Sequence, residues 1–88
     1  MKGTYTFYED PGHGWLAVPL KDLRALGIQN QISACSYLNG DTAYLEEDCD
    51  APRFVEAYKN QIVGPGPVFT EKYQEHTPIR KYPHYYYC

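Results

Sequence analysis

The sequence predicts a small α+β domain, a mainly antiparallel sheet with two helices on one face, its elements in the order β-β-α-β-β-α-β. Three observations carry this reading. Asn39-Gly40-Asp41 joins two strand-like runs, and Asn-Gly is the strongest short-range hairpin signal. Two other stretches carry a proline at the front and apolar residues at helical spacing behind it. A length of 88 residues leaves room for a single core. Residues 1–75 are expected to form that domain, and residues 76–88 a tyrosine-rich extended arm or a loose tail.

In chain order, Thr4-Tyr5-Thr6-Phe7-Tyr8 combines β-branched and aromatic residues with partial alternation and reads as a strand. Glu9-Asp10-Pro11-Gly12-His13-Gly14 supplies turn chemistry, with glycines expected at positive φ. Trp15 to Val18 is then the hairpin partner. Pro19 suits a first helical turn, Leu20, Leu23 and Leu26 share a face, and Gly27 followed by Ile28 reads as a C-cap, giving a helix over 19–26. Ile32 to Leu38 and Thr42 to Glu46 are the strands of the Asn-Gly hairpin. A second helix runs through Ala51 to Lys59, with Pro52 in its first turn, Asp48 or Asp50 as its cap, and Phe54, Val55, Tyr58 and Ile62 as its apolar face. Gly64-Pro65-Gly66-Pro67 ends it, and Val68 to Tyr73 forms one more strand.

The composition, 43% hydrophobic and 22% charged, excludes a wholly disordered chain. Ten tyrosines against three phenylalanines and one tryptophan supply aromatic area with a polar tip, suited to half-buried sheet faces and to contact surfaces alike. The polar start predicts no signal peptide, and the longest apolar run, Trp15 to Val18, is far too short to span a membrane. Three cysteines, Cys35, Cys49 and Cys88, make a poor disulfide framework and point to free thiols in a reducing, cytoplasmic compartment.

The net charge of −3 is unevenly spread. Residues 1–58 hold four basic groups against nine acidic ones, while residues 59–88 hold four basic against two acidic. The density peaks at Tyr44-Leu45-Glu46-Glu47-Asp48-Cys49-Asp50, with Asp41 and Glu56 nearby. One cap and one first-turn charge would satisfy a helix start, at about 0.3–1 kcal/mol each. The surplus, chiefly Glu46 and Glu47, repels itself within a Debye length of about 8 Å. On an extended backbone, same-face residues stand about 6.6 Å apart, comparable to successive phosphates. Such a row could occupy a basic groove built for nucleic acid, and a merely solvated face is the competing reading.

The remaining motifs are exclusions. Counted from Asp48, a calcium loop meets Pro52 at its fifth position and Arg53 where glycine is required. Pro11-Gly12-His13-Gly14-Trp15 opens into a strand rather than a helix, so it is a turn and not a phosphate loop. His13, Cys35, Cys49, His76, His84 and Cys88 contain no close pair of the kind structural zinc uses. No signature accompanies a thiol dyad of Cys35 or Cys49 with His13 or His76, so no catalytic residue, metal or cofactor is expected. Arg80-Lys81 with Tyr82, His84, Tyr85, Tyr86 and Tyr87 has the mix used for single strands, but the acidic whole repels phosphate, so no direct nucleic-acid binding is expected.

At Glu9 to Leu16, Leu26-Gly27-Ile28, Ile32-Ser33, Ser36-Tyr37, Gly40-Asp41 and Tyr44 to Asp50, the chain resembles a family of small proteins of bacteriophages and other mobile elements. The similarity runs from about Tyr5 to Tyr58. It implies no catalytic residue, but it implies a setting, a bacterial host cell in which small acidic proteins inhibit host defence or transcription. By size, acidity and setting the chain is similar to anti-CRISPR proteins that mimic DNA.

The function expected from these readings is inhibition of a host protein with a basic nucleic-acid groove, a CRISPR effector complex being one such machine. Asp41, Glu46, Glu47, Asp48, Asp50 and Glu56 would supply charge, and Tyr44 and Tyr58 contact area. The alternative is a protein-interaction module, a homodimer included, that uses the tyrosine-rich tail. A small thiol- or metal-dependent enzyme ranks last.

Overall fold

In the computed structural model, which describes residues 3–86, the chain is α+β in the order expected. The elements are β1 (Thr4–Glu9), β2 (Gly14–Pro19), α1 (Leu20–Leu26), β3 (Tyr37–Asn39), β4 (Thr42–Glu46), α2 (Ala51–Gln61) and β5 (Val68–Tyr73), followed by a 3-10 turn over Pro78–Lys81. Among the described residues the strands form one sheet in the order β3-β4-β2-β1-β5. All neighbours are antiparallel except β1 and β5, which run parallel. A parallel neighbour requires a crossover, and α2 supplies it by carrying the chain from β4 across the sheet to the far side of β1.

Alternation sorts the sheet into two faces. Tyr5, Leu16, Val18, Ala43 and Leu45 point to the side where Leu23, Leu26, Phe54 and Tyr58 of the two helices pack, and these residues form the core. The register makes the other assignment as clear: Tyr8 pairs with Trp15, Trp15 with Glu46, and Tyr37 with Tyr44, all on the opposite face.

Helix α1 begins after Pro19 and ends at Gly27, whose φ of 75° is the left-handed value that a side chain resists. Gly27 and Ile28 donate their backbone N–H groups to Arg24 and Leu23, closing a Schellman motif, and Ile28 is buried against the core as that motif favours. In the β3–β4 hairpin Asn39 pairs with Thr42, so the two turn residues are Gly40 and Asp41. Gly40 has φ of 61° at the first central position, the arrangement a type II′ turn requires.

Two local expectations are corrected. Glycines at positive φ were expected in the β1–β2 loop, but neither Gly12 nor Gly14 has one. Asp10 shapes that loop by accepting the N–H groups of Gly12 and His13, and Gly14 is required because a Cβ there would overlap the Phe7 ring. Residues 32–36 do not extend β3. Ile32 drops into the core, and Ser33 and Ser36 turn their hydroxyls to Asp50, so the strand starts only at Tyr37.

The tyrosine-rich segment is ordered as an arm through Tyr86 and covers the face opposite the helices. Ile79 is buried, Arg80 lies over the Trp15 ring, Tyr82 packs on Tyr44 and His84 stacks on Tyr37. The arm then joins the sheet edge: Leu38 N–H donates to Pro83, and Tyr85 N–H to Ser36. Tyr85 turns back into the core, its hydroxyl donating to the carbonyl of Gln29.

Candidate functional site

The acidic segment is not a row. Strand β4 stops at Glu46 and residues 47–50 form a turn, so the extended backbone that would space carboxylates like phosphates ends where the cluster begins. Glu46 is turned inward, and both of its oxygens accept the N–H of Asp48 at 3.1 and 3.0 Å. Asp50 is fully buried and accepts from Ser33 N–H at 3.1 Å, Ser33 Oγ at 2.8 Å and Ser36 Oγ at 2.5 Å. A buried carboxylate without partners is very costly, and three donors make this one tolerable.

Asp50 occupies the cap position of α2, yet its side chain makes no capping hydrogen bond, and the expected cap by Asp48 or Asp50 is corrected accordingly. Pro52 in the first turn needs no N–H partner there, which lessens the demand for a cap. The carboxylate is thereby available to tie the 33–36 loop to the start of the helix.

The other expected contact residues are scattered. Glu47 and Asp48 are exposed in the turn, Glu56 is exposed on α2, and Asp41 is exposed in the β3–β4 turn. Tyr58 is buried in an aromatic cluster with Tyr5 and Phe54 and offers no contact area. Tyr44 lies half-buried on the other face, between Tyr8 and Tyr82. Burial and the neighbouring Tyr82 and Tyr8 raise its pKa, keeping the hydroxyl neutral.

What the fold does bring together is Glu47 and Glu56 with two carboxylates from the sheet. The helices cover β2, β4 and the Tyr5 end of β1, but beyond α2 Phe7 is only half-buried and β5 is exposed. There Phe7, Leu16, Val55 and Phe69 floor a groove of about 720 Å³. Glu9, Glu47, Glu56 and Glu71 line it as well, with Lys59 as the one cation among the lining residues. None of these four carboxylates is in an ion pair among the described residues, where the salt bridge is between Arg80 and Asp10. Strand β5 is exposed along its whole length, and Phe69 is 43% exposed.

Sequence reasoning missed Glu9, Phe69 and Glu71. Alternation places Phe7 with Glu9, and Phe69 with Glu71, on one strand face each. The parallel pairing that sets Glu71 opposite Phe7 leaves no local signal.

The basic, aromatic character of residues 80–85 is used internally. Arg80 makes a two-pronged contact with Asp10, Nε to Oδ2 at 2.8 Å and Nη2 to Oδ1 at 3.1 Å. The guanidinium, together with the backbone N–H groups of His13 and Gly12, holds the Asp10 carboxyl well below the usual carboxylate range. Tyr82 and Tyr85 are committed to the arm's own packing, and of the residues offered for a tail-mediated contact, Tyr87 and Cys88 lie outside the described ones.

Cys49 meets Cys35 rather than a histidine, while His13 lies against Trp15. Among the described residues no group of three or more His, Cys, Asp or Glu is placed to hold a metal ion, and no helix is long and apolar enough to cross a membrane.

Fold and groove together define a small α+β protein with a mixed five-stranded sheet and an acid-rimmed apolar depression beside its edge strand. No family model, no curated protein and no solved structure matches the chain.

Proposed function

We propose that this protein is a non-enzymatic inhibitor that docks, through the groove between α2 and β5, onto a basic segment of a partner protein with apolar residues interleaved. The observation that carries the reading is the four carboxylates, Glu9, Glu47, Glu56 and Glu71, around the apolar floor of Phe7, Leu16, Val55 and Phe69. An apolar floor supplies affinity by burial, at about 25 cal/mol per Å². A rim of one sign selects partners of the other sign and speeds their approach. Nucleic acid is the wrong occupant, since phosphates would meet four like charges.

Machines that handle nucleic acid carry such basic segments, because they hold phosphate. That agrees with the host setting implied by the resemblance to mobile-element proteins, a CRISPR effector complex included. The carboxylates act here as the rim of a receptacle for a basic segment. They do not form a ladder imitating DNA, because Glu46 and Asp50 are turned inward.

The test uses a defined probe, a Lys/Arg-rich amphipathic peptide, titrated by NMR beside the same peptide with its basic residues changed to Glu. Shifts centred on Phe69, Val55 and Glu56 are expected for the basic peptide alone, with affinity falling as salt rises. Glu47→Lys combined with Glu71→Lys should weaken binding by about tenfold or more. Affinity capture from a bacterial host with the parent and the double variant then asks which basic protein is lost. Binding that ignores both salt and the two reversals would sink the reading.

A further inference from the structure

Cys35 and Cys49 lie outside the groove and are not part of the core. Both are free and exposed, so burial does not explain a thiol at either position. They are nevertheless neighbours, Cys35 being the side chain that acts most strongly on the Cys49 thiol. The contact is held from behind by Asp50, the neighbour of Cys49, which binds Ser33 and Ser36 on either side of Cys35. Ser33 Oγ also accepts the N–H of Cys35 at 3.2 Å. Two exposed thiols thus stand on adjoining segments that a buried carboxylate ties together.

We propose that Cys35 and Cys49 form a reversible intramolecular disulfide, a modification site that locks the 33–36 loop onto the 47–50 turn. The oxidant is a low-molecular-weight disulfide such as glutathione disulfide. One of the two cysteines, as thiolate, attacks one of its sulfurs, and the S–S bond breaks to release one thiolate, which takes a proton. The other cysteine then attacks the protein sulfur of the mixed disulfide, gives up its proton and expels the second thiol. Two protein thiols are oxidised to one disulfide, and one small disulfide is reduced to two thiols.

The ring closed over residues 35–49 is of a length at which a disulfide shifts an unfolding equilibrium by about 100-fold. The proposal is independent of the groove, and its test uses no partner.

The full chain carrying Cys88→Ser is equilibrated in reduced/oxidised glutathione buffers, quenched with acid, alkylated and weighed by mass spectrometry. The expected product is a monomer lighter by two hydrogens with neither cysteine alkylated, and its urea midpoint lies above that of the dithiol. In the same background, Cys35→Ser and Cys49→Ser should each stop at a single glutathione adduct that dithiothreitol removes, with no species lighter by two hydrogens. Accumulation of stable glutathione adducts on the unsubstituted pair, linkage between chains, or an oxidised form no more stable than the dithiol would overturn the proposal.

Discussion

Asp50 and Glu46 carry the same charge as Glu47 and Asp48, yet they act as structural acceptors while the other two face water. The difference lies in donors. Ser33 and Ser36 reach Asp50, the N–H of Asp48 reaches Glu46, and hydrogen bonds to a charged group are each worth about 1.5–3 kcal/mol. Asp50→Ala, which leaves those serine donors without their acceptor, is expected to cost about 3 kcal/mol in urea unfolding and Asp50→Asn about half of that. A loss confined to a few tenths in both would show that the carboxylate is not the tie. Asp10 makes a prediction on the pH axis. Its folded-state pKa lies below its unfolded value, so its contribution is fully present above about pH 4 and is lost as pH falls towards the folded value. The stability difference between the parent and Asp10→Asn should therefore be largest at neutral pH and shrink in acid, which thermal unfolding at a series of pH values would measure.

At the scale of elements, the β1–β2 hairpin shows how one residue type serves different purposes. Gly27 and Gly40 are there for backbone angles at positive φ, but Gly14 is there for space, since the Phe7 ring lies where its Cβ would go. Gly14→Ala is expected to destabilise by about 1–3 kcal/mol through overpacking, and Phe7→Val in the same chain should recover part of it. Additive losses in the double-mutant cycle would show that the ring and the glycine are not in conflict. The shortened β3 teaches a related lesson. Ile32 to Leu38 has strand-like composition, but Ser33 and Ser36 carry donors that a buried acceptor claims, and a side-chain bond of that kind competes with a ladder. The helices were legible for the opposite reason. Prolines, capping glycine and spacing are local signals, and in α1 and α2 nothing distant overrides them.

For the whole molecule, the arm makes the second face of the sheet an interior. Ile79 is 2% exposed although it lies in a four-residue turn, and Trp15 is equally enclosed beneath Arg80. Ile79→Ala is expected to lower stability by about 2–5 kcal/mol, as for a core aliphatic, read as a fall in the denaturation midpoint with the slope unchanged. A loss below about 0.5 kcal/mol would mean that the arm rests on the sheet as a surface ornament.

By itself, the sequence determined the fold class, the element order, the hairpin turn, the C-cap at Gly27 and the excess of carboxylates, because each depends on spacing or backbone chemistry within a few residues. Only the tertiary structure decided which carboxylates remain at the surface, since that depends on donors in the 33–36 loop and on a turn that breaks the extended run. It also decided that Glu47 and Glu56 share a groove with Glu9 and Glu71. A parallel pairing between β1 and β5 is made across most of the chain and is set by the crossover of α2, which no neighbouring residues encode.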